Sequence, residues 1–497
     1  MIGKMTRQTQ LFIPGDIGDF VPDDHILKRV DKVLDMSWLE AAVAHKYCPD
    51  NGRTSIPPEA ALRLMLAGFY AGIAKDRKLM REAQVNLAMR WFAGYDLTDT
   101  LPHHSSLTRI RQRWGEDIFR LIFTRIVAQC IAAGLVSSDT VHIDATIIRA
   151  DVSWESLTDQ WVDDTLRQNS DGEPTPPEPP PARGKSKKNK KHGRPRSRTK
   201  KPKKHSLTDP DATLTTSKKS FRMEPSYKQH TAVDDAHGII VDVEVTTGEA
   251  SEGERLAHTI DRVQENTGQS IARVTADGGY AHSANYATLE DRNIDAVIPP
   301  QKVGSAKSSM PASRFKFDAK HELVRCPRGE KLTARSQVKN GWIYRGCAAT
   351  CGCCPLRAQC VPPSAKVRTI FIAHGHEALL RARRRRARWD ADTINWYARH
   401  RWRVEGIHGE AKQQHGLHRA ARRGMANVAI QAYLTAVVIN LKRLAASLLR
   451  PKSVPMAHKP YSVVFFAYLR KIQHFAELVF ISDYLSDYEQ ISLISAA

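Results

Sequence analysis

The chain has 497 residues, enough for roughly two to four domains, and its 41% hydrophobic and 26% charged content excludes a disordered or fibrous protein. A net charge of +22 and a pI near 9.7 point to a polyanionic partner, nucleic acid first, because Lys and Arg that neutralise phosphates release counterions. Solubility is the competing use of such a charge.

The start, MIGKMTRQTQLFIPGD, has no long apolar core of a secretory leader, and Gln431 and Asn440 interrupt the apolar run from Val428 to Leu441. The expectation is a cytoplasmic protein with no membrane partner. Most of the eight cysteines crowd between Cys326 and Cys360, which in a reducing compartment suggests metal rather than disulfides.

Residues 1–136 read as helical. Pro57 and Pro58 open EAALRLMLAGFYAG, Ser105 or Ser106 caps a helix that Gly115 breaks, and EDIFRLIFTRIVAQCIAAG runs to Gly134. Arg109, Arg111 and Arg113 are candidates for phosphate contact or for a solvated helix face. VHIDATIIRAD then reads as a β-branched strand.

The segment 165–225 reads as a Pro-rich and basic linker. EPTPPEPPPARG is extended, and Arg183 to Lys204 lacks any acid, so it cannot bury enough apolar surface to fold alone. YKQHTAVDD and GIIVDVEVTTGEA follow as hairpin strands about His237-Gly238. EGERLAHTIDRVQENTG is a helix closed by Gly268, IARVTA a strand, SANYATLEDRN a helix and IDAVIPP a strand. This order predicts a mixed α/β sheet flanked by helices, in parts 137–164 and 226–300. Residues 301–370 form a cysteine-rich insertion, 371–450 return to helix, and 451–497 take no role.

Three acids stand out. Asp144 lies in an apolar strand, where a carboxylate is costly unless paired, hydrogen-bonded or metal-bound. Asp277 ends a strand before Gly278 and Gly279, as a projecting ligand or as an ordinary turn residue. Glu405 shares a helix face with Arg401 and Lys412, as a metal ligand with cationic neighbours or as an ion-pair ladder; Glu410 lies further round the cylinder. Three convergent carboxylates suit two Mg²⁺ ions (or Mn²⁺) that activate an attacking oxygen and stabilise a leaving one.

Taken in order, LPHHSSLTRIRQRW, VHIDATIIRAD, TDPDATLTTSKKSFRMEPSYKQHTAVDD, VTADGGYAH, the cysteine insertion and RHRWRVEGIHGEAK resemble the bacterial insertion-sequence transposases of the DDE type over residues 40–450. The resemblance implies an RNase H-like core with Asp144 on the first core strand, Asp277 just after the fourth and Glu405 on the following helix. It also implies cleavage at terminal inverted repeats and strand transfer into target DNA, on double-stranded DNA and usually as a dimer on paired ends. Arg401 and Lys412 match the family's phosphate-holding positions, whereas its Tyr position is Ala398 here, with Tyr397 one residue early. Arg422 and Arg423 are further DNA-binding candidates beyond the third acid.

Cys326, Cys351, Cys354 and Cys360 are candidate ligands of a structural Zn²⁺, with Cys347 and Cys353 as substitutes and small redundant thiols as the competing reading. RARRRRAR from Arg381 to Arg388 is suited to tracking a phosphate backbone. Trp396, Tyr397 and Trp402 are candidates for base stacking or core packing. A nuclease without joining activity and an inactive transposase-derived DNA-binding protein are the alternative functions.

Overall fold

A computed structural model of the protein describes residues 15–48, 50, 55–153, 157–159, 204–216, 223–301 and 310–449. Six helices come first: α1 (Ile26–Asp31), α2 (Leu39–Val43), α3 (Pro58–Tyr70), α4 (Asp76–Val85), α5 (Leu87–Phe92) and α6 (His104–Ala132). Inside α6, Gly115 takes φ 72° and ψ 175°, so the long helix breaks there at a residue with no Cβ to clash. Arg111 is not on a solvated face. It is 3% exposed and held by Asp76, so it braces α6 against α4 instead of facing phosphates. Arg113 lies over the Tyr47 ring at 4.6 Å.

A mixed sheet follows, with β1 (Thr140–Arg149), β2 (Leu157–Asp159), β3 (Lys204–Ser206), β4 (Thr213–Thr216), β5 (Met223–Asp234), β6 (Ile240–Thr247), β7 (Arg273–Ala276) and β8 (Asp295–Val297). Its strand order is β2-β3-β4-β5-β1-β7-β8, with β6 also paired to β5. Strand β5 is antiparallel to β1 and β6, whereas β1, β7 and β8 run parallel. Two crossover helices make the parallel steps possible: α7 (Leu256–Thr267), closed by Gly268 at φ 65°, and α8 (Ser283–Asp291).

The linker expectation needs correcting at its end. Strands β3 and β4 and the first residues of β5 fall within 165–225, and Thr213 to Thr216 pair with Ser226 to Met223. TLTT carries too little hydrophobic signal to read as a strand, and pairing with β5 is what orders it. The Pro-rich run, nearly all of the basic arm and residues 451–497 lie outside the described residues.

The cysteine-rich insertion has a fold of its own. It is a five-stranded antiparallel sheet of β9 (Lys316–Asp318), β10 (Leu323–Arg325), β11 (Lys331–Val338), β12 (Gly341–Arg345) and β13 (Thr369–Ala373). Phe315, Val324, Leu332, Tyr344, Ile370 and Ile372 bury a small core of its own.

The chain then becomes helical as α9 (His376–Arg386), α10 (Ala391–His400), a π-helical turn (Arg401–Glu405), α11 (Gly406–Gln414) and α12 (Met425–Leu448). Helix α12 is the one described helix long and apolar enough to cross a membrane, yet it is a core helix: 89% of its apolar window is buried against β6, α6 and α3. Each fully buried Leu, Ile or Val there contributes roughly 1.5–3 kcal/mol. The two interrupting amides are buried and bonded. Asn440 accepts from the Ile240 N–H and donates to its carbonyl, while Gln431 bonds the backbone of Gly416, Arg419 and Ala421.

Candidate active site

Register places the first two acids. In the parallel pair β1/β7, His142 lies opposite Thr275 and Ile143 opposite Ala276, so Asp144 and Asp277 are the next residues of adjacent strands. Side chains alternate along a strand, so His142 and Asp144 share one face, and Thr275 and Asp277 share the same face of the neighbour. Asp277 also caps the turn Gly278–Tyr280, accepting from the Gly279 N–H at 2.7 Å.

The helical segment with the third acid packs on that face. A buried polar chain fastens it: His142 Nδ1 is 2.6 Å from Thr275 Oγ1, which is 2.9 Å from His400 Nδ1. His142 Nε2 bonds Asp235 at 2.9 Å, and Asp235 is paired with Arg399 at 2.6 Å. Further along, His408 bonds Thr231 at 3.1 Å, with its other nitrogen 3.8 Å from Asp144. Apart from Asp144, none of these residues was singled out from the sequence. The usable signal was the alternation in VHID, which puts His142 beside Asp144.

Glu405 ends the π-helical turn. It is 60% exposed and 3.5 Å from Arg401, which is 83% exposed. Arg401 and Glu405 are thus neighbours on one face, although the turn between them is wider than the 3.6 residues of an α-helix. Lys412 is half-buried and lines a cleft of about 180 Å³ with Arg149, Glu224, Ser226 and His418.

Asp144 is pushed up to about 7, mainly because burial disfavours its charge and then because Asp277, Glu252 and Glu405 repel it. These carboxylates thus lie within electrostatic reach of one another. Glu410 does not join them. It bonds Lys442 at 2.9 Å and Arg443 at 3.2 Å, away from the strand ends.

No three His, Cys, Asp or Glu side chains among the described residues stand as a ready-made metal site. The donor set nevertheless suits a hard cation: carboxylate oxygens gather beside a turn where a Cβ on Gly279 would come within 2.8 Å of Asp277 Oδ1.

Among the DNA-binding candidates, Arg423 is exposed and bonds the Asp151 carbonyl. Arg422 is different: it is 19% exposed and paired with Asp76 at 2.7 Å, so its guanidinium ties the C-terminal helices to α4. In RARRRRAR, Arg381 pairs with Glu290 and Arg385 with Asp295, which docks α9 on the core. Trp396 lies between Arg273 and Arg399 and Tyr397 stacks on His400, whereas Trp402 is 55% exposed.

In the insertion, Cys326, Cys351, Cys354 and Cys360 line one cavity of about 30 Å³, while Cys347 and Cys353 do not line it. None of the cysteines forms a disulfide.

Residues 15–113 match the model of a transposase domain (DUF772), and residues 200–441 match that of a transposase DDE domain. Among solved structures, the chain is similar to the piggyBac transposase synaptic complex with hairpin DNA at 10% identity and a TM-score of 0.28, over 90% of this chain and 82% of that one. It is similar to the Mos1 transposase paired-end complex with the left transposon end at 11% identity and a TM-score of 0.15, over 52% of this chain and 65% of that one. Those scores are too low to carry an argument. No curated protein matches the chain. The two domain matches together take in most of the helical N-terminal region and the strands and helices that carry Asp277 and Glu405, with β1 and Asp144 lying between them: the chain belongs to the DDE transposases, and its mixed sheet is their RNase H-like core.

Proposed function

We propose that the protein cuts DNA at the terminal inverted repeats of a mobile element and joins the freed ends to target DNA, with Asp144, Asp277 and Glu405 as the reacting carboxylates. The observation that carries this reading is the β1/β7 register, which sets Asp144 beside Asp277 under the helical segment that bears Glu405. These three would hold Mg²⁺, or Mn²⁺. The cations, when bound, lower the cost of charge on the attacking and leaving oxygens of an in-line displacement.

The chain's own residues supply the rest. Asp277 fixes the turn beside the reacting phosphate through Gly279, and the His142–Thr275–His400 chain holds the third-acid segment in register. Arg401, Lys412 and Arg423 offer cations to the DNA backbone. Arg422 is left out because it is engaged by Asp76, which it shares with Arg111. Paired ends imply a homodimer, and the work belongs in the cytoplasm with the chromosome.

The test is cleavage and joining of an oligonucleotide carrying the element's ends, with Mg²⁺. Asp144→Asn and Glu405→Ala each lose both products by at least about a hundredfold while binding the ends as wild type. Cleavage without joining by wild type supports a nuclease instead, and full activity of both variants removes these acids from the site.

A second proposal concerns the insertion: Cys326, Cys351, Cys354 and Cys360 hold a structural Zn²⁺. Their shared cavity is the observation behind it, since four thiolates make a closed tetrahedral set.

A further inference from the structure

Glu252 was not among the acids the sequence brought forward. It sits in TTGEASEGERL, the connection from β6 to α7, just before the short turn Gly253–Arg255. One of its oxygens, Oε1, is 3.2 Å from the ammonium of Lys228, a β5 residue 8% exposed that also donates to the Ala250 carbonyl at 2.7 Å. The loop is thereby pinned to the sheet. The other oxygen, Oε2, lies 3.3 Å from where a Cβ on Gly279 would stand. A Cβ on Gly279 would find Asp277 Oδ1 and Glu252 Oε2 both within 3.3 Å, so the two carboxylates meet at one point that only glycine leaves open.

A second observation is independent of the acids. Tyr280 is 0% exposed, and its hydroxyl has no hydrogen-bond partner among the described residues. The charges that act on that hydroxyl are Asp144, Glu252 and Asp277. A buried hydroxyl left without a partner is costly, so it marks a place where a polar ligand satisfies it. Three carboxylates act on it electrostatically, and the polar ligand that suits them is a hydrated cation.

We propose that Glu252 is a fourth carboxylate of the cation site, contributing Oε2 beside Asp144 and Asp277, with the Tyr280 hydroxyl bonded to a water of the same cation. This rests on the reading that Asp144 and Asp277 bind metal. Lys228 is then a positioning residue: by occupying Oε1 it leaves Oε2 aimed at Asp277. Glu405 is exposed and paired with Arg401, so it completes the site from the opposite side when DNA docks.

The test uses Mn²⁺ alone, bound to the full-length protein without DNA and followed by the loss of the free-ion electron paramagnetic resonance signal. Glu252→Gln and Glu252→Asp each weaken Mn²⁺ binding about tenfold or more, and Glu405→Gln changes it less than either. Iron-mediated cleavage of the wild-type chain locates the ion without any substitution. With Fe²⁺ and ascorbate, cuts are expected near residues 144, 252 and 279, and excess Mg²⁺ suppresses them. Wild-type Mn²⁺ affinity in both Glu252 variants, or cuts at 144 and 279 without one at 252, overturns the proposal and leaves the Asp144–Asp277 site standing. If Asp144→Asn and Asp277→Asn also bind Mn²⁺ as wild type, the underlying reading of the site fails as well.

Discussion

At Asn440 and Gln431, amides in an apolar helix close hydrogen bonds that the sheet edge and a loop would otherwise lack. The same logic of buried polar groups sets the acid response of the fold. Burial first, and then His142, holds His400 down to about 3, so it stays neutral in the folded chain while an unfolded histidine takes a proton below pH 6.5. Stability from this residue is full above 6.5 and falls as pH drops toward 3. Glu410 is opposed by burial, but His415 beside it at 3.7 Å and the charges of Arg443 and Lys442 win and bring it down to about 2. Its contribution is full above pH 4.5 and is lost as pH falls toward 2. Urea unfolding at pH 7 and pH 3 should therefore show a loss on the order of a few kcal/mol. His400→Gln should make the upper part of that decline shallower and Glu410→Gln the lower part; identical slopes in all three proteins would refute both assignments.

Among the elements, the π-helical turn Arg401–Glu405 decides where the third acid points. An α-helix advances by about 100° per residue, so removing one residue from the turn rotates Glu405 and α11 against α10 by about that amount. Deletion of the exposed Trp402 should abolish end cleavage in the oligonucleotide assay. The melting temperature should fall as well, because His400 and His408 on either side of the turn cannot then both keep their buried partners. Retained cleavage would mean that Glu405 acts from a geometry the turn does not set. Helix α9 teaches a related lesson. Arg381 and Arg385 are ion-paired to the core, so the run of arginines serves docking as well as charge.

At the scale of the whole molecule, a helical N-terminal region, a mixed sheet and a second small sheet share one chain, and α12 joins the first two by packing on α3, α6 and β6. The small sheet buries only six core side chains, which for a unit of its size leaves room for a metal to matter. Elemental analysis should find about one Zn²⁺ per chain, and a strong chelator should lower the melting temperature of wild type. Cys351→Ser combined with Cys354→Ser should already melt lower and gain no further response to chelator. A zinc-free wild type with an unchanged melt would leave the apolar cluster as the insertion's sole support.

The sequence by itself determined the order of the helices and of the main strands of the mixed sheet, the cationic character and the three candidate acids of the resemblance. Each depends on local pattern: apolar periodicity, turn glycines, and the spacing of Arg401, Glu405 and Lys412. The edge strands β3 and β4 and the insertion's sheet were not legible, because TLTT and LVR carry almost no alternation and become strands only through pairing. Only the tertiary structure decided that Arg111 and Arg422 close on Asp76, that His142, Thr275 and His400 form one chain, and that Glu252 meets Asp277 over Gly279. Those contacts join residues far apart in the chain. Burial and strand register fix them, and neither is written in any single window of sequence.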